Sequence, residues 1–285
     1  VCCVAPALAV GNRWTACNEC LPGTATTANV TRWSPFLTGS GPLKNIVSGS
    51  NLQVSVTAIN TNGIVGSNGA QPAGGTPAAL TFTGYVDWTT SSPGNTIQLA
   101  STDSAVLIYT FSGLSPGRRY TFAGTAIRGG ATYTNRWALL RLVGAGSFVA
   151  AHTTNVITSA QAPGELAANE AAMNTGLNTT GDMVVWENIA PSSNGTFSVV
   201  SSQFTGTIPG KSTSGPYGYG LEAILLAEVD LPEVLSLTPP AGTHETLTNI
   251  TVTFSKPVTN VQAGNLLING LPAASVGGSN NVYTF

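Results

Sequence analysis

Charge is what this sequence has least of. Its 285 residues hold 10 Lys and Arg and 12 Asp and Glu, so 8% are charged, against roughly a quarter in an average soluble protein. The formal net charge is −2. A chain so nearly neutral carries no basic field to hold nucleic acid or an anionic membrane surface. Long apolar runs are missing too. Nothing approaches the roughly 18 consecutive apolar residues that a spanning helix needs. The two histidines, His152 and His244, are far apart in sequence. No G-x-S-x-G, H-E-x-x-H or phosphate-loop pattern occurs, so no hydrolase or nucleotide signature is legible. Cysteine stops early: Cys2, Cys3, Cys17 and Cys20 are the only ones. Cys17-Asn18-Glu19-Cys20 is a C-x-x-C, which can be a redox pair or half of a zinc site. Zinc would need two more ligands, and the next histidine is His152. A local disulfide between Cys17 and Cys20, or two free thiols, is the expectation.

What the chain does have is Ser, Thr, Asn and Gly for its polar surface, and 42% apolar residues. That apolar content excludes a disordered chain. The densest block runs from Ala105 to Val143. Ala105 to Phe111 (AVLIYTF) is bounded by turn residues and reads as a strand buried on both faces. Ser112-Gly113-Leu114-Ser115-Pro116-Gly117 supplies a reversal. In the next run Tyr120, Phe122, Gly124 and Ala126 alternate with Arg119, Thr121 and Thr125, the pattern of a half-buried antiparallel strand. Arg128-Gly129-Gly130-Ala131 reads as a hairpin turn. The third run, to Val143, alternates less cleanly and suggests a bulge.

Further strands are expected at Arg13 to Ala16, Asn51 to Ile59, Ala79 to Trp88, Asn95 to Leu99, Ser147 to Thr153, Asp182 to Trp186, Gly195 to Ser201 and Tyr219 to Val229. Pro163 to Gly176 is the one segment with helical composition, or an ordered loop, because its apolar residues are mostly alanine. The length allows two domains. Residues 1–9 read as the remnant of a secretory signal peptide, with Ala7-Leu8-Ala9 as a small-residue cleavage pattern. The chain also lacks an initiator Met, and it is expected to be a fragment. Residues 10–230 form one domain. From residue 231 the style changes, and 231–285 reads as a second.

Leu114-Ser115-Pro116-Gly117-Arg118-Arg119-Tyr120-Thr121-Phe122 resembles the corner of fibronectin type III and related sandwiches, where a tyrosine after an L-x-P-G turn hydrogen-bonds back across the corner. GTPAALTFTGYVDW, YTNRW, NTGLNTTGDMVVWENIAP and GYGLEAILLAE resemble a module of large secreted multidomain bacterial proteins. There it sits beside lamin-tail, immunoglobulin-like or metallophosphoesterase domains. LPEVLSLTPP followed by ITVTFSKPV resembles a bacterial immunoglobulin-like domain of surface-layer and adhesin proteins. Only 54 residues of it, Pro232 to Phe285, are present, about half of what two sheets usually need. Together these readings predict an all-β chain: a jelly-roll-like β-sandwich followed by an incomplete immunoglobulin-like β-sandwich, secreted or at the cell surface.

Ligand-binding candidates are Trp88, Trp137, Trp186, Tyr217 and Tyr219, with Asp87, Arg136 and Glu187 beside them. Flat aromatic faces and planar polar groups are what carbohydrate recognition requires. The competing reading places these tryptophans in the core. Asp103 and Asp182 are the candidates for calcium, which takes hard oxygen ligands; otherwise no cofactor is expected. Asp182, Glu187 and Glu222 could supply a glycosidase pair, though any chain offers such trios. Arg128, Arg136 and His152 could form an anion site, but the favoured reading has Arg136 satisfying backbone carbonyls at a sheet edge. The expectation is a non-catalytic attachment module, with polysaccharide or cell-surface components as partners. Two alternatives stand beside it: a spacer or self-associating subunit of an extracellular assembly, and an accessory region of a larger secreted hydrolase such as a metallophosphoesterase.

Overall fold

The computed structural model describes residues 14–19, 29–32, 39–66, 70–86, 96–229 and 232–285. It divides into two compact units, Val1–Val229 and Asp230–Phe285. The first contains β1 (Trp14–Glu19), β2 (Val30–Arg32), β3 (Gly39–Lys44), β4 (Asn51–Thr61), β5 (Ile64–Gly66), α1 (Pro77–Phe82), β6 (Thr96–Leu99), β7 (Val106–Ser112), β8 (Arg119–Thr125), β9 (Trp137–Val143), β10 (Ser147–Ala150), β11 (Glu170–Asn174), β12 (Val184–Ala190), β13 (Phe197–Gln203), β14 (Gly218–Tyr219) and β15 (Ala223–Val229).

Two six-stranded sheets face each other. One has the order β10-β12-β8-β15-β1-β2 and the other β11-β9-β13-β7-β4-β3; a small third sheet joins β14, β6 and β5. Eight strands, β1, β7, β8, β9, β11, β12, β13 and β15, give the paired four-strand orders of a jelly roll. All their ladders are antiparallel. β10, β2, β4 and β3 extend the edges.

The three central runs are all strands, but they are not hairpin-linked. β7 and β9 lie in one sheet and β8 in the other, so both intervening turns carry the chain across the sandwich. The two burial expectations are exchanged. β7 is buried only on alternate residues, whereas β8 is buried at six consecutive positions from Tyr120 to Thr125. The reason is a third layer. Tyr120 and Phe122 point between the sheets with Tyr109, Phe111 and Trp186. On the other side Ala123, Val185, Ala223 and Leu225 are covered by Ala78, Phe82 and Val86 of α1 and its following turn. Alternation in sequence cannot distinguish a solvated face from one capped by small residues. The expected bulge in β9 is absent; β9 pairs in unbroken register on both sides. Shifts occur instead in β12, between Trp186 and Ile189, where Asn188 has φ of 51°.

Two further assignments are corrected. Ala79 to Trp88 was expected as a strand, but Pro77–Phe82 is a helix with Pro in its first turn, where proline's fixed φ and missing N–H cost nothing. Pro163 to Gly176 holds β11 rather than a helix, because pairing with β9 and burial of Ala171, Ala172 and Met173 override alanine's helix preference. The predicted corner is present: the Ser115 N–H donates to Tyr120 Oη at 2.9 Å.

The second unit holds β16 (Val234–Thr238), β17 (Thr251–Phe254), β18 (Leu267–Ile268), β19 (Leu271–Pro272), β20 (Gly277–Ser279) and β21 (Val282–Thr284). Its main sheet has the order β16-β17-β21-β20. Among its described residues, Val252 and Tyr283 are the only buried apolar ones. Among the described residues no helix is long and apolar enough to cross a membrane.

Candidate functional site

A cleft of the first unit lies beside the turn that joins β11 to β12. Asn178 locks that turn. Its Oδ1 accepts the Asp182 N–H at 2.7 Å, and its Nδ2 donates to the Asp182 carbonyl at 2.9 Å and the Ala126 carbonyl at 3.1 Å. Thr125 Oγ1 donates to the same Asp182 carbonyl at 2.8 Å. Helix α1 braces the turn from outside, since the Ala73 N–H donates to the Thr179 carbonyl and the Ala78 N–H to the Gly181 carbonyl.

This framework presents the Asp182 side chain at 7% exposure. Its carboxylate accepts from Thr153 Oγ1 at 2.9 Å, from Asn155 Nδ2 at 3.1 Å and from Thr180 Oγ1. All three are neutral donors. The cleft above has a volume of about 540 Å³. Asn155, Asn174, Asn178, Gln161 and four threonines line it, with Lys211, Trp137, Ile157 and Leu177. Asn178 and Asn174 spend their amides within the turn, whereas Asn155 keeps its amide oxygen, Gln161 its amide NH2 group, and the exposed Thr134, Thr154 and Thr179 hydroxyls can both donate and accept. Such a surface matches a ligand that itself carries hydroxyls, and Asp182 is the one carboxylate among its lining residues.

The sequence-derived candidates fall in different places. Trp186 is fully enclosed between the sheets and offers no face to a ligand. Trp137 is buried at the cleft wall, where its Nε1 donates to the Ser212 carbonyl at 3.0 Å. Glu187 is half-buried on β12 opposite Val149. Arg136, Tyr217 and Tyr219 are brought together: Arg136 Nη1 donates to Tyr219 Oη, and its guanidinium lies 5.6 Å from the Tyr217 ring. Asp87, Trp88 and Cys20 lie outside the described residues, as does the Cys17 side chain.

Asp103 is exposed in a short 3-10 turn, with Ser104 behind it in the left-handed region. At Asp182 the neighbouring groups donate hydrogen to the carboxylate instead of adding oxygen ligands, which suits a bound hydroxyl better than calcium. Among the described residues no cluster of three or more His, Cys, Asp or Glu could hold a metal. Of the carboxylates weighed for glycoside hydrolysis, only Asp182 lines the cleft. Glu222 is buried and accepts the Ile127 N–H. Its burial pushes its pKa well above the usual carboxylate range; that hydrogen bond and Arg128 pull the other way. His152 packs edge-on against Trp186 and accepts the Val185 N–H at 2.9 Å. Burial pulls its pKa down to about 4.

Sequence reasoning passed over Asn155, Asn178 and Lys211. Asn178-Thr179-Thr180-Gly181-Asp182 was visible as a polar loop, but nothing in sequence shows that Thr153 and Asn155, more than twenty residues earlier, meet it. Compared with known protein families, curated proteins and solved structures, the chain matches none.

Proposed function

We propose that this chain is a non-catalytic extracellular attachment module whose first unit binds a polysaccharide in the Asp182 cleft. One observation carries the reading: a preformed cleft, rich in amides and hydroxyls, surrounds a carboxylate hydrogen-bonded only to neutral donors. Carboxylates and amides pair with vicinal sugar hydroxyls, while Trp137, Ile157 and Leu177 offer apolar contact for sugar C–H groups.

The test is retention of the chain on insoluble cellulose, chitin and xylan, compared with Asp182→Ala. Retention by at least one polymer, reduced about tenfold or more in the variant, is the expected result; a buried carboxylate with paired hydrogen bonds is worth at least that much. No retention on any of them, or equal retention by the variant, would remove the reading.

A second reading is self-association through the second unit. Val234, Leu235, Leu267 and Leu271 are all more than half exposed there, and apolar side chains gathered on so small a unit suit a contact surface. A chain that stays monomeric by light scattering at millimolar concentration would remove it.

A further inference from the structure

Two arginines meet on the segment that follows β8, and neither is spent on an acid. The guanidinium carbon of Arg136 lies 3.5 Å from the centroid of the Tyr133 ring, and that of Arg128 lies 5.1 Å from the same centroid. The two cationic carbons are therefore no farther apart than the sum of those distances. Like charges at such a separation repel one another. Stacking on tyrosine offsets part of this.

Most of the donors are uncommitted. Arg136 gives one N–H to Tyr219 Oη, and Arg128 gives none among the described residues. The Nε of each is shielded from solvent without a partner. Both residues stay half-exposed. Glu222, the carboxylate nearest in effect to Arg128, is fully buried and holds the Ile127 N–H.

The pair is also held rigidly. The Arg136 carbonyl accepts the N–H groups of Thr175 and Gly176, both at 3.1 Å, and the Asn135 carbonyl accepts that of Gly215 at 3.0 Å. A Cβ on Gly176 would press on the Tyr133 carbonyl and on Arg136 Cβ, and one on Gly215 would stand 2.8 Å from Arg136 Cγ. The Arg128 N–H is tied in as well, to the Thr175 carbonyl at 2.9 Å, so the backbone that carries both arginines is fixed before any ligand arrives, which lowers the ordering cost of binding.

The geometry points to an oxyanion site between Arg128 and Arg136, taking a carboxylate or sulfate group carried on a saccharide. Guanidinium forks match such oxygens two at a time. The saccharide follows from position: Thr134, Trp137 and Asn174, on the same two segments that hold Arg136, line the Asp182 cleft. That identification of the carrier rests on the proposed function; the anion site itself does not.

The experiment titrates the full chain at constant ionic strength with sodium sulfate, sodium glucuronate, glucose and sodium chloride, followed by NMR shifts of backbone amides. Sulfate and glucuronate should shift the 128–136 and 215–219 amides saturably, and chloride should not. Arg128→Gln, which loses no hydrogen bond made within the protein, should weaken both oxyanions by about tenfold or more, one charge-assisted pair. Arg128→Lys should fall between. Asp182→Asn should leave sulfate binding unchanged. Tighter binding of glucuronate than of sulfate supports the saccharide carrier; equal binding removes the carrier and keeps the site. Arg128→Gln binding both oxyanions as well as the parent chain would overturn the proposal.

Discussion

The Asp182 cleft and the Arg128–Arg136 cluster are neighbours built on shared segments, yet they handle charge in opposite ways. At Asp182 one carboxylate is surrounded by hydroxyl and amide donors, with no guanidinium or ammonium in the network. At the arginines two cations stack on tyrosine with no carboxylate hydrogen-bonded to them. In a chain where only 8% of residues are charged, the simplest way to settle these groups would be to pair them. The fold instead keeps them apart. A charge left unpaired costs stability unless something else satisfies it. Asp182 is satisfied instead by three neutral donors, and the arginines by the Tyr133 ring and the Tyr219 hydroxyl.

The largest effect is expected where this contrast is broken at its acidic end. Asp182→Ala removes the main acceptor of the buried Thr153 hydroxyl, while the exposed Asn155 and Thr180 turn to water; losing that buried network should lower stability by roughly 1–3 kcal/mol. Denaturant midpoints at unchanged m-value measure it, and a loss below about 0.5 kcal/mol would show that the network matters little. Next is Gly176→Ala, which pushes Tyr133 and Arg136 out of register. It should cost about 1–3 kcal/mol, as overpacking does, and abolish the sulfate response. A stable variant that still responds would dissociate the glycine from the arginine site.

The third test sharpens the question of whether Glu222 neutralises Arg128. Its folded pKa lies above its unfolded value, so wild-type stability is whole below the unfolded pKa and falls as pH rises toward the folded one. Glu222→Gln keeps an oxygen for the Ile127 N–H and does not ionise. It should match wild type near pH 4 and melt about 2–8 °C higher at pH 8, on the scale of 2–4 °C per kcal/mol. A variant less stable at pH 8 would mean that Glu222 is ionised and paired with Arg128. The smallest effect is that of Arg128→Gln on stability: within about 0.5 kcal/mol of wild type, in either direction. His152 works in the opposite pH window. Its pKa is lowered to about 4, so the stability it contributes is present above its ordinary value of 6.5 and lost as pH falls toward 4.

The corner was legible, because Ser115-Pro116-Gly117 with Tyr120 announced it, but the inner face of β7 was not: Leu107, Tyr109 and Phe111 point inward while Val106, Ile108 and Thr110 are only half-buried, and a run so nearly all apolar shows no period of two. The capping layer was not legible. α1 is six residues long, too short for helical periodicity to show, and the alanines of β11 follow the wrong propensity for their place. The site was harder still. Aromatic residues drew attention to Trp186, which the core consumes, whereas the cleft is built from asparagine and threonine of distant segments. Arg136, Tyr217 and Tyr219 were singled out individually, but Tyr133, the ring that gathers both arginines, has no sequence signal of its own.

The most direct test of the account is NMR mapping of the side-chain amides while cello-, xylo- and chito-oligosaccharides are added to the full chain. The account predicts saturable shifts of Asn155, Gln161 and Asn174 with at least one series, absent in Asp182→Ala. Shifts confined to residues outside the cleft, or none with any series, would contradict it.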